Sequence, residues 1–452
     1  MIDGFQSLRH PIGVPRRDSL WFHPGFRLLW AGDTVSQAGT FVGITVLPLL
    51  AATVLSATPG EMGLLTAAEN AAFLLIGLPA GVWVDRMKRR PLMLRADFAR
   101  AALLLTIPLA WWTGWLTLTQ LVVVALLVSV GTVFFDVAYQ SYLPSLVGRE
   151  HLVEGNAKLQ ASQSVAQVVG PGLGGGLTQL FGAANAVLAT GVGYVASGMF
   201  LLRIRTPEPE PEPHDGTPLR AQIAEGLRFV FGNPALRAIV LCTASGNFAG
   251  TIVISMQVLF LTRDLGLSPS GVGLVLAVAS AGGILGALTA GFWTRVIGQA
   301  RAIWLVPMTT WPLQLLLPLS QPGWPVALGV LGMVASGYGI VVYNVAQVSY
   351  RQAICPDRLM GRMNATVRFV VWGTMPLGGL AGGLLGELIG VRSTVWAGCA
   401  LMAVTMLPVL FSPLRRMRDL PVSPPAPTTA DPADPAPRTP PGPSASTPPA
   451  PR

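Results

Sequence analysis

Apolar stretches close to 20 residues long recur along the chain from Phe26 to Leu410, and about 20 residues is what a helix needs to cross a hydrocarbon core. One buried core cannot absorb so many, and a lone anchor needs only one. The solvent for most of this chain is therefore lipid. With 51% hydrophobic and 11% charged residues and a mean hydropathy of +0.56, too few charges remain to cover a water-facing surface. The reading is an all-α membrane protein with twelve transmembrane helices, near 26–55, 61–84, 91–113, 117–143, 157–181, 184–203, 235–262, 269–295, 301–319, 324–350, 360–388 and 391–411.

The spans fall into two sets of six. Between them, Thr206 to Thr217 alternates proline with glutamate, a pattern that cannot sustain a helix and favours an extended, solvated linker. The expected organisation is a short N-terminal segment (1–25), a six-helix bundle (26–203), a linker (204–234), a second six-helix bundle (235–411) and a Pro-rich tail (412–452) with little to bury. The halves also repeat each other. A shift of 208 residues carries Ser141-Tyr142 onto Ser349-Tyr350, Asn156 onto Asn364, Gly170 onto Gly378 and Gly174-Gly175 onto Gly382-Gly383. Duplication predicts two pseudo-symmetric bundles with a site between them near mid-membrane.

A formal charge of +9 would suggest nucleic acid in a soluble protein, but the basic residues lie in alternate connections. All but Arg263 and Arg392 of the 30 Lys and Arg fall at one set of segments. This is the positive-inside pattern, placing both termini in the cytoplasm and excluding a nucleic-acid partner. Cys242, Cys355 and Cys399 form no CxxC pair, so neither disulfides nor zinc are expected. Residues Met1 to Gly25 lack an apolar segment with a cleavage site, so the first span is expected to act as the targeting signal.

The most specific stretch is Gly81-Val-Trp-Val-Asp85-Arg86-Met-Lys-Arg89-Arg90, between the second and third spans. It resembles the GxxxDRxGRR loop of the major facilitator superfamily, with Lys88 where the family usually has glycine. Gly170-Pro171-Gly172-Leu-Gly174-Gly175 in the fifth span resembles the GPxxGG element of its exporters. Phe26 to Gly32, Arg95 to Ala101 and Phe134 to Asn156 look like the drug:proton antiporter branch that includes macrolide-efflux and enterobactin exporters. The resemblance spans roughly residues 20–410 and implies a bacterial plasma-membrane transporter, not an enzyme, acting as a monomer on a small molecule with protons as the coupling ion. It implies that Gly81, Asp85, Arg86, Arg89 and Arg90 form a cytoplasmic latch, and that Gly170, Pro171, Gly174 and Gly175 form an exporter packing element. No P-loop, cofactor motif or metal-ligand cluster appears, so direct ATP drive is unsupported.

Proton coupling needs a group that can change charge within the membrane. The four histidines lie outside the spans, leaving carboxylates, which are costly in lipid and hence functional candidates. These are Glu69, Asp33 and Asp136, with two structural alternatives: Asp33, six residues beyond Arg27, at the cytoplasmic rim, and Asp136 paired with a cytoplasmic arginine; Asp97, three residues before Arg100, reads as half of a local ion pair. Glu69 lies about 24 Å along its helix from Asp85 and has no sequence-local basic partner. The family points to the first, fourth, seventh and tenth spans for substrate contacts, which hold Gln37, Tyr139, Gln140, Asn247, Gln257, Tyr343, Asn344 and Gln347. Amides and rings in an apolar cavity suit a bulky amphipathic molecule; each could equally be a helix-to-helix hydrogen bond. The expectation is a proton-coupled exporter working by alternating access, with a nutrient symporter of the same fold as the alternative.

Overall fold

A computed structural model describes residues 19–148, 150–206, 208 and 219–418; the tail beyond Arg418 and most of the Pro-Glu run lie outside the described residues. Six long helices come first: α1 (Pro24–Thr53), α2 (Pro59–Asp85), α3 (Arg89–Trp112), α4 (Leu118–Val147), α5 (Leu152–Phe181) and α6 (Ala183–Arg203). A short helix, α7 (Leu219–Gly232), leads into α8 (Pro234–Leu259), which winds on as a π turn through Asp264, and α9 (Pro269–Val296). Then follow α10 (Gln299–Thr310), α11 (Leu316–Leu319), α12 (Val326–Ile354), α13 (Asp357–Trp372), α14 (Thr374–Ile389), α15 (Val391–Val404) and α16 (Leu407–Leu410). Among the described residues, ten stretches are long and apolar enough to cross a membrane. The third and fifth expected spans, α3 and α5, are not among those ten; α3 carries Arg89, Arg90, Arg95, Asp97 and Arg100. At about 36 and 45 Å, both are nonetheless long enough to cross, and they pack within the first bundle against α4 and α6, and against α1, respectively.

Local chemistry explains the helix boundaries. Pro59, whose missing N–H costs nothing at a first helical position, opens α2 behind the cap Thr58. The Glu61 amide donates to Thr58 Oγ1 at 3.3 Å, and the Thr58 amide to Glu61 Oε2 at 2.8 Å, a reciprocal capping box. Two expected continuous spans are broken. The ninth passes through a 3-10 turn at Trp311–Leu315 containing Pro312, and the eleventh breaks at Gly373 between α13 and α14, three residues before Pro376. At the second break the Val371 carbonyl accepts from Thr374 Oγ1 at 2.8 Å and from Asn247 Nδ2 at 3.0 Å. Side chains thus satisfy a backbone group that the break leaves open.

The 208-residue repeat is carried into the packing. In the first bundle α5 packs on α1, and in the second α14 packs on α8. A Cβ on Gly174 would stand 2.9 Å from the Val42 carbonyl oxygen, and one on Gly378 2.6 Å from that of Phe248. The bundles meet through the same two helices: α5 lies on α9, and α14 on α2. There glycine faces glycine. A Cβ on Gly175 would come 2.8 Å from Gly273 Cα, and one on Gly383 2.9 Å from Gly63 Cα, so the backbones touch as only small residues allow.

These two seams lie toward the face distal to the chain termini, where α2 begins and α14 ends. Toward the termini face the same helix pair gapes. Gly77, Gly81 and Gly361 have nothing within 4 Å of an added Cβ, and a cavity of about 240 Å³ separates α2 and α4 from α13, with Phe73, Val133, Asn364 and Arg368 among its walls. Gly81 makes no close approach to a neighbouring helix in this conformation.

The extended, solvated stretch expected over Thr206 to Thr217 lies almost wholly outside the described residues, and the expected linker (204–234) is described chiefly from Leu219 onward. Part of it, α7, is helical and packs on α13, where a Cβ on Gly226 would meet the Arg362 carbonyl oxygen at 2.8 Å and Glu225 pairs with Arg362. Glu208 from the Pro-Glu run accepts the amide hydrogens of Arg89 and Arg90 at 2.6 and 3.1 Å, a carboxylate on the positive end of α3.

Gly383→Val places branched carbons against the Gly63 backbone and is expected to destabilise the protein by about 1–3 kcal/mol, seen as a lower melting temperature in detergent. Gly176→Ala, with open space around its Cβ, is expected to cause no loss in the same melt.

Candidate functional site

Two polar cavities open in the interior, one in each bundle. The first, about 480 Å³, is lined by Asp33 and Gln37 of α1, Tyr139 of α4, and Asn156, Gln160 and Gln163 of α5. It gathers three of the residues named from sequence and adds three others. Asn156, Gln160 and Gln163 are spaced i, i+4, i+7, one face of a helix, and that spacing was the available signal for the two glutamines.

Asp33 is buried, and its Oδ1 accepts from Gln37 Nε2 at 3.5 Å. It lies in the electrostatic field of Asp136 and Asp97, and Asp136 in that of Arg100 and Arg368. Asp97 and Arg100 form the local ion pair expected from their spacing, and both are fully enclosed, at 0% and 2% exposure. The guanidinium is sandwiched between the rings of Phe135 and Tyr194, 4.6 and 4.1 Å from their centroids, and donates to Thr132 Oγ1 at 3.2 Å. Gly131 makes room, since a Cβ there would meet Arg100 Cγ at 2.8 Å. Asp97 thus belongs to the scaffold, while Asp136 has no hydrogen bond or contact ion pair among the described residues.

Glu69, half-buried on α2, likewise makes no hydrogen bond or ion pair among the described residues. Four residues further on, Phe73 packs edge-on against Trp372 of α13 at 4.5 Å between centroids. Arg368, one turn before Trp372, sits 5.2 Å from that ring's centroid and donates across the bundles to Gln140 Oε1 at 3.3 Å. The α4 carboxylate Asp136, the exposed amide Gln140 and the α13 cation Arg368 thus meet where the halves gape.

The second cavity, about 190 Å³, lies in the C-terminal bundle and brings together Asn247, Tyr343 and Asn344 with Thr243, Trp311 and Gln314. Sequence reasoning missed the last three; Trp311 and Gln314 sit in the 3-10 break, which no periodicity announces. Two of the expected contacts have structural partners. Asn247 donates to the Val371 carbonyl, and the Tyr343 hydroxyl pairs with Thr243 Oγ1 at 2.7 Å and donates to the Ile239 carbonyl at 3.1 Å. Asn344 is exposed to the cavity, whereas Gln347 is buried, with its amide hydrogen on Asn344 at 3.4 Å. Gln257 faces Met333 Sδ at 3.6 Å and lines neither of these two cavities.

At the signature loop, Arg86 is exposed while Arg90 clamps the end of α6, donating from Nε to the Leu201 carbonyl at 2.9 Å and from Nη2 to that of Leu202 at 2.8 Å. The Asp85 side chain lies outside the described residues. Gly170, Pro171, Gly174 and Gly175 line the two faces of α5 that press on α1 and α9.

A family model described as transmembrane secretion effector, within the major facilitator superfamily, matches residues 21–436. The chain belongs to this family. The transporter is 27% identical over 382 residues to the multidrug efflux pump Tap of Mycolicibacterium fortuitum, covering 80% of this chain and 90% of that one. It is 26% identical over 448 residues to the enterobactin exporter EntS of Escherichia coli O81 (strain ED1a), covering 90% and 96%. Among solved structures, the transporter is similar to a bacterial homologue of the iron transporter ferroportin in an inward-facing state, with a TM-score of 0.69, 15% identity and coverage of 85% and 98%. The outward-facing state of that homologue aligns with a TM-score of 0.59. The fold is thus that of the major facilitator superfamily.

Arg100→Met leaves Asp97 buried without its cation and is expected to cost about 3–5 kcal/mol. The double replacement with Asp97→Leu should recover much of that loss, and melting temperatures of the single and double variants in detergent check both statements.

Proposed function

We propose that the transporter is a proton-coupled exporter of bulky amphipathic molecules and works by alternating access. The observation that carries this reading is the unequal closure of the α2–α14 pair: glycine backbones in contact at the distal end, and bare glycines facing a cavity at the termini end. With the termini in the cytoplasm, as the distribution of arginines supports, this conformation is open inward and sealed outward. The better alignment with the inward-facing ferroportin homologue than with its outward-facing form supports the same assignment. In the opposite state Gly77, Gly81 and Gly361 would become the contact surface, and Asp85 would latch the cytoplasmic side.

Substrate would enter from the inner leaflet or cytoplasm and lie between the polar cavity of the first bundle and the Trp311–Asn344 cavity of the second. Area supplies affinity there, and a few amides supply orientation. The names of the relatives Tap and EntS support export and a broad, amphipathic substrate class. Asp33, Glu69 and Asp136 are proposed as the proton-coupling residues. Among the described residues none has a cation in contact, and an unpaired charge at mid-membrane costs about 2.5–3.5 kcal/mol or more. A group alternately wetted and sealed can exchange a proton with one side at a time and so tie the gradient to the conformational cycle.

Reconstituted vesicles with an imposed pH gradient, offered a panel of dyes, macrolides and catecholate siderophores, test the proposal. Gradient-dependent movement is expected in the wild type, and its loss is expected in at least one of Asp33→Asn, Glu69→Gln and Asp136→Asn. Transport that ignores the gradient would remove proton coupling. Separately, Gly81→Val should leave the melting temperature unchanged, because its Cβ meets nothing here, yet reduce transport at least about tenfold, since ~1.4 kcal/mol against the closed inner face is tenfold. Wild-type rates in that variant would show that the inner glycines never meet.

A further inference from the structure

The two arginines on the sparsely charged distal side are the exceptions to the positive-inside pattern, and the structure gives each a partner. Arg392 stays within the second bundle, 3.6 Å from Asp264 and donating to the Pro318 and Ser320 carbonyls at 2.9 Å. Arg263 crosses between bundles. From the π turn after α8, its Nη2 donates to the Ala57 carbonyl at 2.8 Å and to the Ala52 carbonyl, in the last turn of α1, at 3.4 Å. A carboxylate crosses in the same place: Glu387, near the end of α14, accepts the Gly60 amide in the first turn of α2 at 2.8 Å. The connection between α1 and α2 is thus held from the other bundle by a cation on its carbonyl end and an anion on its amide end, each charge matched to the helix terminus it touches.

We infer that Glu387 and Arg263 form a distal latch that holds the two bundles closed on that face. The pairing has a geometric logic. α2 and the α13–α14 span run antiparallel, so each places its C-terminal end beside the other's N-terminal end. At the distal face the end of α14 supplies Glu387 to the start of α2. At the opposite face α2 ends at Asp85. The same helix pair therefore carries a carboxylate at both ends, and the distal one is engaged in this conformation, where Gly63 and Gly383 are pressed together and Gly81 stands open. Glu387 and Arg263 act as positioning residues; neither lines either polar cavity. Because the contacts are partly exposed, each is sized to bias the equilibrium between states without freezing it.

This inference builds on the alternating-access reading, and its test needs neither substrate nor gradient. Nitroxide labels at Trp115→Cys, in the α3–α4 connection, and Trp324→Cys, in the α11–α12 connection, sit on the distal face of opposite bundles at residues 81% and 82% exposed. The native cysteines are buried. Double electron–electron resonance in nanodiscs should give a dominant short distance in the otherwise wild-type protein. Glu387→Gln and Arg263→Gln should each raise the ratio of the long-distance to the short-distance component about two- to fivefold, the factor expected for one exposed charge at a helix end, and the double variant should raise it further. Melting temperatures within a few degrees of the parent establish that the fold is intact. Distance distributions that superimpose on the parent in both single variants and the double variant overturn the latch, even if gradient-driven export is normal. A shifted distribution upholds it even if no compound on the transport panel moves.

Discussion

Contact between glycine backbones across the two halves is the constraint on which this structure depends. In lipid, apolar side chains gain little by leaving the solvent, so helices associate through close packing and hydrogen bonds. Gly175 against Gly273 and Gly383 against Gly63 bring α5 to α9 and α14 to α2 as near as backbones can come. The charged contacts of Glu387 and Arg263 lie at the distal end of those two seams. A seam made of backbone is short-ranged. It holds firmly when closed and contributes nothing once separated by a few ångströms.

Charge is used in two ways inside the bundles. Asp97 and Arg100 are paired, enclosed by Phe135 and Tyr194, and hold α3 against α4 and α6. Among the described residues Asp33, Glu69 and Asp136 have no cation in contact, and Asp33 lines the cavity of the first bundle. Enclosure by rings separates the first kind from the second. An ion pair sealed on every side is scaffold, whereas a carboxyl group that lines a cavity is accessible from it. Arg368 is intermediate, lying over Trp372 with one hydrogen bond to Gln140 in the other half, so separation of the halves would alter its surroundings directly.

Much of the architecture was legible because lipid imposes span-length apolar runs and duplication leaves a register. The shift of 208 residues carried Gly174-Gly175 onto Gly382-Gly383, and those glycines do occupy corresponding seams. The candidate site was legible only in part. Asp33, Gln37 and Tyr139, named for different roles, share one cavity, but Asn247 and Tyr343 spend hydrogen bonds on Val371, Thr243 and Ile239. The Val371 carbonyl needs Asn247 because of the break near Gly373, and a broken helix in a uniformly apolar run leaves no periodic trace. Glu208 was hidden for a similar reason: a carboxylate in a proline-rich run reads as solvated until the bare N-terminus of α3 is found beside it.

The sequence by itself determined the solvent, the helical class, the duplication and, through the signature loop and glycine elements, the family, because each is set by local composition or by spacing along one chain. Only the tertiary structure decided which glycines touch, which carboxylates lack a cation, and which end of the α2–α14 pair is shut. Those are properties of surfaces from segments up to about 300 residues apart in the chain, and contact between them depends on the conformational state, which no single stretch of residues encodes.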